Sequence, residues 1–238
     1  MSYANPTEKD VAEFYDNVYY KSETLHAIRP PSHYREIFNF LKPVKAGGKI
    51  LDVGCGTGLF LKAALDAGLD AYGLDISQRA VEISNKNAPG ARIIRGRGEE
   101  LPFGDKFFDY IFYGGTVEHF LNVDKGLDEA IRVTNDDAKF LFVVPNKNYW
   151  LWRVRGESGT HQKEVKELLL DYDGWEALFK KHGLKTERVY QDPWPRQSVK
   201  IFKHKNPWRI LRRFVYRMIW LFISLKYTYQ FVFLCKKL

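Results

Sequence analysis

The stretch ILDVGCGTG, residues 50–58, constrains the fold of this 238-residue chain more than any other part of it. The apolar run over residues 49–53 predicts a buried parallel strand, and residues 57–67 predict a helix. Between them Gly54, Gly56 and Gly58 lack a Cβ, so they tolerate positive φ and let main-chain N–H groups face a bound group. Ligands of open α/β sheets bind at the carboxyl ends of strands. We therefore predict a ligand-binding loop at such an edge.

The glycine spacing separates this loop from the dinucleotide-binding fingerprint. It reads G-x-G-x-G, with Leu59 in the sixth position and Asp52 two residues before the first glycine, whereas that fingerprint needs G-x-G-x-x-G. It resembles the first motif of the class I S-adenosylmethionine-dependent methyltransferases. The resemblance implies an α/β, Rossmann-like fold, with a seven-stranded, mostly parallel sheet whose last strand is antiparallel and with helices on both faces. It also implies S-adenosylmethionine as the cofactor.

Later segments follow in the order that this family has. Residues 71–77 predict a second strand ending in Asp75, where an acidic side chain can accept hydrogen bonds from both ribose hydroxyls. Residues 91–103 predict a third strand and the loop that lines the adenine in the family. Residues 108–120 predict a fourth strand leading to a Glu-His pair, and residues 138–146 a fifth strand ending in Pro-Asn.

The resemblance implies a role for each loop at this edge. The glycine loop would hold the methionine end of the cofactor, Asp75 the ribose and the loop around Gly98 the adenine. The predicted cofactor-binding residues are Asp52, Gly54, Cys55, Gly56, Gly58, Asp75, Ile76, Gly98, Glu99, Tyr113, Gly114 and Tyr20.

Arg97 departs from the family pattern, which usually has an acidic residue in this loop. A guanidinium has no acceptor for an adenine amino group. Either Glu99 takes over that contact or the Gly98 amide reads the adenine alone.

Methyl transfer to a hydroxyl is helped by a base, for which a histidine of near-neutral pKa is suited. His119 follows the fourth strand, and His161 lies in a segment that resembles the acceptor-side loop of sugar and lipid-linked methyltransferases. We predict these two as catalytic residues. The structural alternatives are that His119 fixes its own loop and that His161 faces solvent. Glu118 and His119 are two adjacent potential ligands, which do not make a metal site, so no metal is predicted.

The segment before the first strand is rich in aromatic residues. In related enzymes such a segment forms helices that close over the cofactor. Tyr15 and Tyr20 are therefore candidates for contacting the methionine end or the acceptor, and the alternative is that they are core aromatics of the cap.

The positive charge of the chain lies in its C-terminal part. Residues 193–238 hold eleven basic and no acidic residues, whereas the first 192 hold 26 basic and 29 acidic ones, so the formal net charge of +8 comes from this part. A helix is predicted from Asn206 and Pro207 onward. One side of it carries Arg209, Arg212, Arg213 and Arg217, and the other carries Trp208, Leu211, Val215, Met218 and Phe222.

Three interpretations of this basic helix stay open. Its apolar face packs on the domain, the helix lies on an anionic membrane surface, or it binds nucleic acid. The tryptophans at 194, 208 and 220 favour the membrane surface. A transmembrane span is not expected, since polar residues interrupt residues 214–235 and a span needs about 20 apolar residues.

Length and composition predict one domain. We expect an N-terminal helical cap over residues 1–45, a cofactor-binding core over 46–192, a basic amphipathic insertion over 193–226 and a closing strand over 227–238 that pairs with residues 184–190. Cys55 and Cys235 have no metal-ligand spacing, and the first ten residues lack the apolar region of a secretory signal. A cytoplasmic location is expected, with peripheral association at the inner membrane face.

The functional prediction is S-adenosylmethionine-dependent O-methylation of a small or lipid-linked acceptor, such as a glycan intermediate or a quinone precursor, at a membrane surface. One alternative is an RNA methyltransferase tethered by the basic region. Another is a non-catalytic, membrane-associated scaffold of the same fold.

Overall fold

A computed structural model describes residues 6–20, 29–157, 159, 165–193 and 207–238. His161 and the predicted cap residue Asn206 lie outside the described residues. The account below concerns the described ranges.

Seven strands form one sheet in the order β3-β2-β1-β4-β5-β7-β6. Strands β1 to β5 are parallel to one another, and β7 is antiparallel to both β5 and β6. This arrangement confirms the predicted fold and the pairing of the last strand. The strands are β1 (Lys49–Val53), β2 (Asp70–Asp75), β3 (Arg92–Arg95), β4 (Phe108–Gly114), β5 (Thr134–Pro145), β6 (Leu184–Gln191) and β7 (Gln230–Lys237).

Helices surround the sheet, and several begin at a side-chain cap. Ser77 caps α4, Asn122 caps α5 and Asp171 caps α7 by accepting a hydrogen bond from a backbone N–H of the first turn. The helices are α1 (Glu8–Phe14), α2 (Pro31–Asn39), α3 (Leu59–Asp66), α4 (Gln78–Asn87), α5 (Val123–Val133), α6 (Trp150–Arg155), α7 (Tyr172–Lys181) and α8 (Pro207–Phe222), together with a π-helical turn (Tyr15–Tyr19) and 3₁₀ turns (Val117–His119 and Leu225–Tyr227).

The core lies on both faces of the sheet, as the alternation along β5 illustrates. Phe140 and Phe142 belong to one buried cluster with Trp175 of α7, whereas Leu141 and Val143 belong to the other. Neighbouring strand residues point to opposite faces, so a strand covered on both sides must be apolar throughout. This explains why the central strands read as continuous apolar runs.

The basic helix α8 lies between β6 and β7 in the chain, where the sequence predicted an insertion. Among the described residues, the helices fall short of the length and apolar character that crossing a membrane requires.

Candidate active site

A cavity of about 530 Å³ opens at the carboxyl ends of β1, β2 and β4. The chain order reverses between β1 and β4, which is where open α/β sheets leave a crevice. The size is in the range of small-molecule sites. The loops after these three strands and the N-terminal cap form its wall.

The glycine loop has the backbone conformation predicted for it. Gly54, Gly56 and Gly58 have φ values of 74°, 55° and 73°, in the left-handed region that favours glycine. The amide of Gly54 donates to the Leu74 carbonyl at 2.7 Å, which joins the loop to β2. A Cβ at Gly56 would lie 2.9 Å from the Tyr20 hydroxyl, so a side chain here would disturb the contact with the cap.

Asp75 lies buried at the end of β2 with its carboxylate facing the glycine loop. Its Oδ2 accepts from the Gly56 amide and its Oδ1 from the Ser77 amide, both at 2.9 Å. Burial raises the pKa of Asp75 to about 6, although these two amides act in the opposite direction. A carboxylate offers about four lone-pair sites, so acceptor capacity remains for hydroxyl donors beside these amides. The residues present thus fit a ribose.

The floor of the cavity carries two further buried groups. Burial and the neighbouring Asp75 raise the pKa of Asp52 well above its ordinary value. The same two causes raise the pKa of the Cys55 thiol, which disfavours the reactive thiolate.

The loop after β3 approaches the core closely. A Cβ at Gly98 would overlap the Phe120 ring. Glu99 is buried, and its Oε1 accepts from the Leu121 amide at 2.9 Å. Arg97, which replaces the usual acidic residue, forms an ion pair with Glu8 of α1. The departure from the family pattern therefore joins the cap to this loop.

Glu118 is a buried acid in the wall beyond the glycine loop. Its side chain lines the cavity, and its Oε2 has no hydrogen-bond partner within the described part of the chain. Burial, and then the charge of Glu167, raises the pKa of Glu118 to about 8, although Arg29 acts in the opposite direction. The carboxyl is therefore mostly neutral at pH 7.

His119 also lines the cavity, and its ring is fixed on one side. Its Nδ1 lies 2.8 Å from the Lys166 carbonyl. A carbonyl oxygen can only accept, so Nδ1 carries the proton and Nε2 of the neutral ring keeps a lone pair. Burial lowers the pKa of His119. The ring therefore has the protonation state that a base needs, and it also fixes the loop that contains Lys166.

A polar network closes the far end of the cavity. The Arg29 guanidinium lies 2.9 Å from His33 Nε2 and 3.2 Å from Asp192 Oδ2, and it also donates to Gln230. Burial, and then the Arg29 charge, lowers the pKa of His33 to about 2, so its ring is neutral. The Asp192 carboxylate balances the positive charge of Arg29. The far end of the cavity therefore offers hydrogen bonds, while the Arg29–Asp192 pair adds no net charge to it.

Two predicted cofactor-binding residues lie outside the cavity wall. Tyr113 lies in the core and stacks on Phe142, since its strand neighbours Phe112 and Gly114 face the cavity and alternation turns Tyr113 away. Gly58 is absent from the wall, and a Cβ there would lie 2.8 Å from the Cβ of Ser84, so close helix packing also requires a glycine at this position.

The other predicted residues within the described ranges come together in the cavity wall. They are Asp52, Gly54, Cys55, Gly56, Asp75, Ile76, Gly98, Glu99, Gly114, Tyr20 and His119, together with the aromatic candidate Tyr15.

Sequence reasoning missed the polar network. Arg29 and His33 lie 201 and 197 positions before Gln230, and such a distance leaves no local pattern. Arg29 also precedes the extended cap residue Pro30 of α2, so its spacing of four from His33 is not a helical one and gives no local signal.

Comparison with known proteins gives the family. Residues 51–142 match the family model described as a methyltransferase domain. A protein of Methanocaldococcus jannaschii without an assigned activity is 34% identical over 160 residues, which cover 67% of this chain and 58% of that protein. A demethylmenaquinone methyltransferase of Paenarthrobacter aurescens is 28% identical over 153 residues, which cover 60% of this chain and 58% of the relative.

A solved structure shows the same fold. Phosphoethanolamine N-methyltransferase 2 of Haemonchus contortus, in complex with S-adenosyl-L-methionine, superposes with a TM-score of 0.71 at 17% identity, covering 95% of this chain and 59% of that chain. This chain spans 58% of the length of each of the two relatives above. The predicted family and cofactor are confirmed. This chain belongs to the class I S-adenosylmethionine-dependent methyltransferases, whose cofactor is S-adenosylmethionine.

Proposed function

We propose that this chain transfers a methyl group from S-adenosylmethionine to a hydroxyl of a small or lipid-linked acceptor at a membrane surface. The observation that carries the proposal is the composition of one continuous cavity wall. The glycine loop and Asp75 line one part of it, and Glu118, His119 and the Arg29 network line another.

The first part suits the cofactor. The buried Asp75 carboxylate would accept from the ribose hydroxyls, the glycine loop would hold the methionine end, and the loop around Gly98 would face the adenine. The bound cofactor supplies a methyl group already activated by its sulfonium. The protein therefore has to align the acceptor and exclude water.

The second part suits a hydroxyl acceptor. His119 Nε2 would take the proton of the hydroxyl while Nδ1 stays bonded to the Lys166 carbonyl. Glu118 has a pKa of about 8, so its neutral carboxyl would donate a hydrogen bond that orients the acceptor. The Arg29 network would contact the acceptor at the far end without demanding an anion.

The position in the chain of the residues that form this part of the wall favours a lipid-linked acceptor. Tyr229 and Gln230 line the cavity and follow α8, and Asp192 precedes the segment that leads into this helix. The end of the cavity that the Arg29 network closes, called the acceptor end below, thus adjoins the amphipathic helix. A relative is named a demethylmenaquinone methyltransferase, so a quinone precursor that carries a free hydroxyl stands beside a glycan intermediate as a candidate acceptor for this chain.

The proposal is tested by incubating the protein with methyl-labelled S-adenosylmethionine and a cell extract, then separating organic-soluble, small aqueous and nucleic-acid fractions. Label in the organic fraction is expected, and it should fall for Asp75→Ala when the cofactor is below saturation. Label in the nucleic-acid fraction would replace the proposal with RNA methylation. No label in any fraction, with S-adenosylhomocysteine still bound, would indicate a scaffold without turnover.

A further inference from the structure

Helix α8 exposes an apolar surface that a folded domain normally buries. A surface helix turns its apolar stripe toward the core and its polar face to water. In α8 the reverse holds for six of its large apolar side chains, which are between 46% and 80% exposed, whereas Ile210, Met218, Ile219 and Trp220 are half-buried. The six exposed residues, called the apolar face below, are Trp208, Leu211, Phe214, Val215, Leu221 and Phe222.

The apolar face is continuous along the helix. At 3.6 residues per turn its six positions fall within an arc of about 140°, and the four arginine positions of α8 fall within the opposite arc. The helix contains no acidic residue. Together with the exposure of these six side chains, this arrangement argues against the interpretation in which the apolar face packs on the domain.

The helix is held to the domain from its other side. Trp220 Nε1 donates to the Asp192 carbonyl at 3.2 Å, and Gln191 Nε2 donates to the Ile223 carbonyl at 2.9 Å. Both contacts connect the second half of α8 to the end of β6, beside the acceptor end of the cavity. The helix therefore has a defined position while its apolar face stays uncovered.

We infer that the apolar face of α8 inserts into an anionic membrane, with the helix lying in the plane of the interface and the acceptor end of the cavity next to the bilayer. The entry of an acceptor at this place rests on the proposed function. The docking of α8 on the membrane does not rest on it.

Charge and side-chain chemistry favour a lipid surface over other partners. Residues 193–238 hold eleven basic and no acidic residues, which complements anionic headgroups. Helices that lie in the interface combine a basic face with Trp, Phe and Leu on the other, and α8 has these residue types in that arrangement.

The test is co-sedimentation of the full chain with phosphatidylcholine vesicles, with and without phosphatidylglycerol. The parent should sediment with the anionic vesicles and stay in solution with the neutral ones. Phe214→Ser combined with Phe222→Ser should weaken binding by at least about tenfold, because two exposed aromatic side chains no longer enter the lipid. Arg209→Gln, Arg212→Gln and Arg213→Gln together should weaken it by about 100-fold.

A matched control is Val154→Ser, which removes an apolar side chain that is 73% exposed on α6. It should bind as the parent does. Because the substituted phenylalanines are exposed, all variants should keep the parent's melting temperature. Sedimentation of the double phenylalanine variant at the parent's level would overturn the inference, as would a parent that binds an RNA oligonucleotide but no vesicle at the same salt.

The outcomes also separate this inference from the proposed function, since vesicle binding needs no cofactor. Docking without any methyl transfer would keep the inference and reject the function. Label in the organic fraction from a protein that does not sediment would keep the proposed methyl transfer and reject docking on the membrane.

Discussion

The amide of Gly56 donates to Oδ2 of Asp75 at 2.9 Å, so the loop after β1 and the end of β2 form one unit. The carboxylate is buried, which strengthens its hydrogen bonds and holds its orientation. The ribose hydroxyls of the cofactor would meet a hydrogen-bond acceptor whose position is already fixed.

Asp75→Ala should lower the affinity for S-adenosylhomocysteine by about 1 to 3 kcal/mol, since the ribose hydroxyls lose charge-assisted acceptors. Isothermal titration calorimetry measures it. The matched control is Asp70→Ala, at the exposed start of the same strand. Equal affinities for parent and Asp75→Ala would remove Asp75 from the cofactor site.

The affinity for S-adenosylhomocysteine should fall as the pH drops below about 6. Burial raises the pKa of Asp75 to about 6, and the neutral acid is the weaker acceptor for hydroxyl donors. Binding then requires loss of a proton, with a limiting slope of about tenfold per pH unit. Calorimetry across this range tests the slope, and Asp75→Asn should abolish it. A parent whose affinity is the same on both sides of pH 6 would contradict this assignment.

Glu118→Gln should stabilise the protein at alkaline pH. The folded state keeps the proton on Glu118 up to a pKa of about 8, whereas the unfolded chain releases it near 4.5, so the parent loses stability as the pH rises through this window. Relative to the parent, the variant should gain on the order of 3 kcal/mol of unfolding free energy between about pH 5 and pH 8.

Urea unfolding at both pH values measures this difference. Glu100→Gln is the control, because Glu100 is exposed and lies outside the cavity wall. A pH-independent difference between parent and Glu118→Gln would mean that Glu118 titrates as it does in water.

His119→Asn should separate the two roles of this residue. The asparagine amide can still donate to the Lys166 carbonyl, but it has no group basic enough to take a proton from a hydroxyl. Melting temperature and S-adenosylhomocysteine affinity should be retained while turnover falls by at least about 100-fold. The assay is label transfer into the organic fraction.

His161→Ala is the companion variant, since His161 remains the other predicted base. An active His161→Ala beside an inactive His119→Asn would assign the base to His119. Full activity of both variants would remove histidine from the reaction.

Much of the cofactor part of the site was predictable, because its residues act locally. Positive φ at Gly54 and Gly56 follows from the missing Cβ, and Asp75 ends a strand whose direction is set by its neighbours. Tyr113 lies in the core and outside the cavity wall, and period-two alternation along β4 carried the signal for this orientation.

The sequence by itself determined the parallel sheet, the glycine loop at its carboxyl edge, the closing antiparallel strand and the two-sided character of the basic helix. These depend on backbone freedom and on hydrophobic periodicity, which short segments carry. The tertiary structure alone decided that Arg29, His33, Asp192 and Gln230 meet, that Glu118 is buried with one oxygen unpaired by any described residue, and that α8 turns its apolar face outward. Those properties arise from contacts between segments far apart in the chain, where burial changes hydrogen bonding and proton affinity in ways that no single segment encodes.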